Sequence, residues 1–326
     1  MKRRVAIIGT GWVGSSVAIS TLHSGIVDDL LLSDLNMDVA EGEAMDLAHG
    51  ASFYSTAAVR TATIEEIADA DAIVISAGRG GRPGESRLDL LRDNAKIIQE
   101  LGRRLAGCRG IIVMVTNPVD VLTRVMVEAS GLPPARVIGT GTLLDTARLR
   151  QVLGRVLRLD PHSVHAQVVG EHGDSEVVHW SGAQVGGVPL RDWPGWTGEQ
   201  EPLLAEEVRS AAYQIIRRKG ATNHAIGLVT AELLRCILRD ERRVLTVSRV
   251  QEKAFGLQGV ALSLPTVVSA EGAIEVIEPK LCRDERERLE QSADVLRRAF
   301  NQLSDRTFSE CPLQNQSQAN PSRSPI

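Results

Sequence analysis

Val5-Ala-Ile-Ile8 is apolar at every position and runs straight into Gly9-Thr-Gly11-Trp-Val-Gly14 and then a helical segment at 15–24. A strand apolar on both sides must be covered on both faces, which a parallel sheet flanked by helices provides. The alternation repeats. Strand-like runs at 30–33, 72–76, 111–116 and 136–138 are separated by helical stretches such as 39–48 and 90–104. The first part of the chain is therefore predicted to be an α/β, doubly wound parallel sheet, with ligands beyond the carboxyl ends of its strands.

The character changes near residue 140. A helix at 145–157 leads into alternating segments at 164–169 and 183–185 that suit antiparallel strands, and 192–198 reads as a loop. A helical region at 202–238, strands at 244–250 and 259–268, and a charged amphipathic helix at 283–303 complete a C-terminal α+β substrate domain. The expected division is 1–139 for a cofactor domain, 140–304 for a substrate and catalytic domain, and 305–326 for a polar tail. That tail is rich in Gln, Asn, Ser and Pro and is expected to be disordered.

Composition narrows the partners. Aromatic residues make up only 3% of the chain, so the core must be aliphatic. A net charge of −4 argues against a nucleic-acid or anionic-membrane partner. The basic start Met1-Lys-Arg-Arg precedes too short an apolar run for a secretory signal, and no stretch approaches the roughly 20 apolar residues of a membrane span. Cys108, Cys236, Cys282 and Cys311 are scattered, with no metal-ligand spacing; no metal is expected, and a reduced cytoplasm fits best.

Three local patterns carry chemistry. Gly9-x-Gly11-x-x-Gly14 after a strand and before a helix leaves backbone N–H groups and a helix dipole facing a pyrophosphate. The second strand ends at Asp34, twenty residues on (34 − 14 = 20), where a carboxylate accepts from ribose hydroxyls and repels a 2′-phosphate. This points to NAD rather than NADP. The run Val169-Gly-Glu-His-Gly-Asp-Ser175 sets His172 among acids, and imidazole's pKa of about 6.5 lets it cycle protons near neutrality. Asp145 is the natural partner to fix its tautomer, and Arg148, one helical turn on, can grip a carboxylate with two parallel hydrogen bonds. The third pattern is the polar loop Arg79-Gly-Gly-Arg-Pro-Gly-Glu-Ser-Arg87.

These motifs, with Ala44-Met-Asp-Leu-Ala-His49, Pro83-Gly-Glu-Ser-Arg-Leu-Asp-Leu90, Thr116-Asn-Pro-Val-Asp120, Gly139-Thr-Gly-Thr-Leu-Leu-Asp145, Gly170-Glu-His-Gly-Asp-Ser175 and Lys219-Gly-Ala-Thr222, occur in one order. From about residue 4 to about 303 the chain resembles the lactate/malate dehydrogenase family, and within it the bacterial L-lactate branch. The resemblance implies a Rossmann-type cofactor domain and NADH-dependent reduction of pyruvate to L-lactate, as in glycolysis and fermentation. His172 and Asp145 would form the proton-transfer pair. Arg87 would ride on a lid and polarise the carbonyl; Arg148 would hold the carboxylate. It places Asn117, Thr222 and Gly81 by the substrate, and Gly9, Gly11, Val13, Gly14, Asp34, Ala77, Gly78, Asn94, Thr116, Asn117 and Ile226 along the cofactor. Arg150 and His165 match a pair that binds fructose 1,6-bisphosphate between subunits, so an allosteric homotetramer is expected. Asp174 either caps a turn or assists the pocket.

Gly81 departs from the family pattern. It falls where lactate members usually carry glutamine and malate members arginine. A missing arginine leaves a second substrate carboxylate without a partner, which argues against oxaloacetate. The added space admits larger 2-keto acids, so a broader L-2-hydroxyacid dehydrogenase stands second and malate dehydrogenase third. A catalytically silent NAD-binding protein is the reading outside enzymes, and retention of His172, Asp145, Arg148 and Arg87 speaks against it.

Overall fold

The structure, a computed structural model, describes residues 2–81 and 86–307. The first half alternates β1 (Arg4–Ile8), α1 (Trp12–His23), β2 (Asp29–Ser33), α2 (Met37–His49), β3 (Ala58–Thr61), α3 (Ile64–Ile67), β4 (Ala72–Ile75), α4 (Arg87–Arg104), β5 (Ile111–Met114), α5 (Val119–Ser130) and β6 (Val137–Gly139). The second half holds α6 (Leu143–Leu157), the two-residue strands β7 (Val164–His165), β8 (Val168–Val169), β9 (Val177–Val178), β10 (Gln184–Val185) and β11 (Val188–Pro189), then α7 (Glu201–Lys219) and α8 (His224–Leu238). It ends with β12 (Arg243–Val250), β13 (Ala261–Ser269), β14 (Gly272–Val276) and α9 (Arg283–Thr307).

Strands β1 to β6 pair in parallel in the order β6-β5-β4-β1-β2-β3. The all-apolar strands explain themselves in the core. Ala6 and Ile8 of β1 join an aliphatic cluster with α4 and α5, whereas Val5 and Ile7 join another with α1, α2 and α8. Successive side chains point to opposite faces, so a strand with no polar residue is covered twice. The doubly wound expectation holds.

Several boundaries differ from the sequence expectation. Strands β12, β13 and β14 do not stand apart. They extend the parallel sheet across its β6 edge, through the antiparallel pair Ser248–Gly139, into one nine-stranded sheet. The 202–238 region is two helices, because Gly220 takes φ +88°, ending α7. The 164–169 segment splits: β7 pairs with β10 and β8 with β9. Strands β3 and β14 and helix α5 were not anticipated, and α9 continues to Thr307, past the expected start of the tail. Residues 308–326 lie outside the described residues. No described helix is long and apolar enough to cross a membrane.

Candidate active site

The glycine turn sits where β1 ends. Gly9 N donates to Ser33 O at 2.8 Å, which binds the turn to β2. Gly11 caps α1 with no side-chain hydrogen bond, so the first-turn N–H groups keep their donors for a ligand. A Cβ on Gly14 would lie 1.9 Å from Gly9 O, so only glycine lets helix and turn close this tightly, whereas a Cβ on Gly11 would meet nothing within 4 Å. Asp34, just past β2, accepts from Thr10 N at 2.7 Å and Asn36 N at 3.1 Å. The free donors, the open face at Gly11 and the carboxylate beside the turn fit a dinucleotide with unmodified ribose hydroxyls.

The walls of this crevice are tied together. Thr116 Oγ1 donates to Ala77 O at 2.8 Å, and a Cβ on Gly78 would lie 2.5 Å from Thr116 Cγ2. Asn94 is buried; its Oδ1 accepts from Arg79 N at 2.9 Å and its Nδ2 donates to Asn117 O at 3.2 Å. Its amide thus clips the loops after β4 and β5 to each other. Val13 and Ile226 both pack on the aliphatic cluster beneath α1. Ile226 gets there because α8 rests on α1, with Asn223 Nδ2 donating to Ser16 Oγ at 2.9 Å. Thr222 lies in the break between α7 and α8, half-buried.

The polar centre lies at the junction of the two halves. His172 follows Gly170, whose N–H and C=O pair with Ser263 of β13 at 2.8 and 2.9 Å. Asp145, 2% exposed in the first turn of α6, accepts from His172 Nδ1 at 2.5 Å and from Arg148 Nη1 at 2.7 Å. Burial disfavours the imidazolium, but the charge and hydrogen bond of Asp145 outweigh it and push the His172 pKa up to about 9. Burial likewise opposes ionised Asp145, yet His172 and Arg148 hold its carboxyl below the usual range. With Nδ1 on Asp145, Nε2 is the nitrogen left to meet a substrate oxygen. Arg148 has Nη1 engaged, so its remaining N–H groups are those a carboxylate can reach.

Asp120, quoted in a motif without a role, proves to be a second anchor. It is 2% exposed and its Oδ2 accepts from the backbone N of His172 at 2.7 Å. Burial lifts its pKa to about 6. An acid set among Val119, Val121 and Leu122 was the available signal. Glu171 accepts from Ser175 N at 3.2 Å, Glu176 is buried four residues after His172, and Tyr213 of α7 donates to Asp174 Oδ1 at 2.8 Å. Asp174 therefore tethers the histidine loop to α7, which the sequence left open.

Gly81 is exposed, and among the described residues a Cβ there would meet Leu90 Cδ2, at 3.5 Å. Arg87 begins α4; its side chain, and residues 82–85 of the same loop, lie outside the described residues. Arg150 Nε donates to Ala166 O at 3.2 Å, next to exposed His165, so these two expected effector residues are neighbours. Burial, then the charge of Arg243, lowers the Arg150 pKa from its usual value.

Known proteins resemble the chain along nearly all of its length. It is 43% identical over 312 residues to an L-lactate dehydrogenase of Priestia megaterium, covering 94% of this chain and 97% of that protein. An L-lactate dehydrogenase of Kosmotoga olearia is 44% identical over 313 residues, covering 92% and 96%. The ligand-bound minor L-lactate dehydrogenase of Enterococcus mundtii superposes with a TM-score of 0.90 at 38% identity, over 92% of this chain and 98% of that one. Residues 3–139 match the lactate/malate dehydrogenase NAD binding domain and residues 142–307 the alpha/beta C-terminal domain of the same family. With both domain matches in order across residues 3–307, and the His172–Asp145–Arg148 cluster at the junction between them, the chain belongs to the lactate/malate dehydrogenase family.

Proposed function

We propose that this chain is an NAD-dependent L-lactate dehydrogenase. The observation that carries the reading is Asp145, whose two carboxylate oxygens engage His172 at 2.5 Å and Arg148 at 2.7 Å. One residue thereby orients both a proton donor and a carboxylate clamp. The names of the similar bacterial proteins support the choice of reaction. NADH held along the β1–α1 crevice would supply the hydride. His172 gives its proton to the substrate oxygen and takes it back in lactate oxidation. Arg148 binds the carboxylate, Arg87 polarises the carbonyl, and Asn117 and Thr222 line the pocket. Gly9, Gly11, Val13, Gly14, Asp34, Ala77, Gly78, Thr116 and Ile226 flank the cofactor, with Asn94 holding its loops together.

In this reading residues 1–139 hold the cofactor and 140–304 the substrate. The enzyme works in the cytoplasm as a homotetramer, with fructose 1,6-bisphosphate between Arg150 and His165 of apposed subunits. A second reading, a broader range of 2-keto acids, is favoured by the lack of a side chain at Gly81. NADH oxidation measured with pyruvate, 2-ketoisocaproate and oxaloacetate separates them. Turnover of pyruvate is expected; preference for oxaloacetate, or no turnover of any keto acid, would refute the assignment.

A further inference from the structure

Glu176 has no place in the chemistry above, yet it lies beside it. It ends the turn that begins at Gly173, its N–H donating to Gly173 O at 3.2 Å, and it is 6% exposed. Its Oε1 is buried with no hydrogen-bond partner among the described residues. The Nε of Arg209, on α7, is buried and unpartnered in the same way. Buried polar atoms are almost always hydrogen-bonded, so two orphans of opposite character beside one polar centre are unusual. The charges facing Glu176 are Asp145 and Arg148 of α6, His172 of its own loop and Arg209 of α7. Asp120, at the start of α5, also acts on His172, and Glu171 acts on Asp120.

We propose that Glu176 is a positioning residue that sets the proton affinity of His172. Its neutral carboxyl leaves His172 to the carboxylates of Asp145 and Asp120, and its ionised carboxylate adds a further anion that holds the proton on His172 to higher pH. The inference rests on the reading of His172 as the proton donor. Burial, then the negative charge of Asp145, pushes the Glu176 pKa up to about 8, below the value of about 9 for His172. Ionisation of Glu176 beside a charged His172 adds an anion that stabilises the imidazolium. The reverse holds too. Once His172 has given up its proton, Asp145 repels Glu176 with less compensation and the Glu176 proton is held more tightly, so the two groups titrate as a coupled pair.

The test compares Glu176→Gln, which keeps the shape and removes the ionisation, with the unaltered enzyme across the alkaline limb of pyruvate reduction. The limb should move to lower pH by about 0.5–1 unit, so that at about pH 9 the rate falls roughly 2–6-fold while at about pH 6.5 it changes less than about two-fold. Glu176→Asp, which restores a carboxylate, should bring the limb back toward its original position. A limb that stays in place in the Gln variant would overturn the proposal. Should that variant not fold, nitrogen-15 NMR of His172 in the unaltered protein without substrate decides. Its ring shift should show, besides a step from Asp120 near pH 6, a further step near pH 8 before the main titration. A single step above pH 7 would refute the coupling. Because the NMR readout needs no turnover, failure of pyruvate reduction would count against the proposed activity and leave the coupling to be judged by the titration.

Discussion

At the scale of single residues, the site depends on carboxylates more than the motifs suggest. Asp145 orients the His172 ring and Asp120 its backbone, so the imidazole is held at two points. His172→Ala should lower kcat about 10²–10⁴-fold, the usual loss of a positioned general acid, while NADH affinity measured by fluorescence stays within about two-fold. A variant keeping half its turnover would remove His172 from the proton-transfer role. Asp34 makes a second prediction. Its carboxylate stands at the glycine turn, so the unaltered enzyme should prefer NADH to NADPH strongly, and Asp34→Ser should narrow that ratio. Comparison of kcat/KM for the two cofactors checks it; equal use by the unaltered enzyme contradicts it.

Elements decide how these residues meet. Helix α6 carries Asp145 and Arg148 at one-turn spacing on one face, whereas His172 reaches them from a loop braced on β13. The break at Gly220 sends α8 back onto α1, which ties the turn after α7 to α1 through Asn223 and Ser16. The loop between β4 and α4 brings Gly81, where a Cβ would meet Leu90 at 3.5 Å among the described residues. Gly81→Gln should lower the KM for pyruvate and sharpen its preference over 2-ketoisocaproate. Gly81→Arg should raise oxaloacetate reduction by pairing with the second carboxylate. One methylene in an apolar pocket is worth only about 1–3 kcal/mol, so the unaltered enzyme should show a broad profile rather than a sharp switch. Measuring kcat/KM for the three acids on the three proteins decides; preference of the unaltered enzyme for oxaloacetate would contradict the placing of Gly81.

Across the whole molecule, the buried centre makes stability depend on pH with a definite sign. Folding raises the pKa of Asp120 from 3.8 to about 6, of Glu176 from 4.5 to about 8, and of His172 from 6.5 to about 9. Each raised group contributes stability that is complete below its unfolded value and is lost as pH rises through its folded value. Asp145, lowered by folding, acts oppositely and only in acid. The melting temperature should therefore fall between pH 6.5 and 9, and Glu176→Gln should make the fall shallower below pH 8. Scanning calorimetry across that range measures both; a melting temperature that rises with pH would contradict the assignment. Assembly carries the last prediction. If fructose 1,6-bisphosphate bridges subunits, it should lower the apparent KM for pyruvate, and Arg150→Gln should abolish that response without loss of activity at saturating substrate. An unaltered enzyme indifferent to millimolar effector would leave Arg150 and His165 as ordinary charges.

The parallel half of the fold was legible in the sequence because strands buried on both faces are written as unbroken apolar runs. The glycine turn and Asp34 were legible for a related reason: a phosphate needs bare backbone at a fixed distance from a strand end. His172, Asp145 and Arg148 could be named from residue type and, for the last two, from helical spacing. Their meeting could not, because 27 residues separate His172 from Asp145 and only the loop braced on Ser263 closes the gap. The same limit hid the joining of β12–β14 to the first sheet, since strand pairing is set by long-range backbone hydrogen bonds that side-chain pattern does not encode. It hid Asp120 and Glu176 most completely. A carboxyl looks alike in the sequence whether solvated or buried, and only the packed fold, by removing water and placing other charges near it, determines where its proton stays.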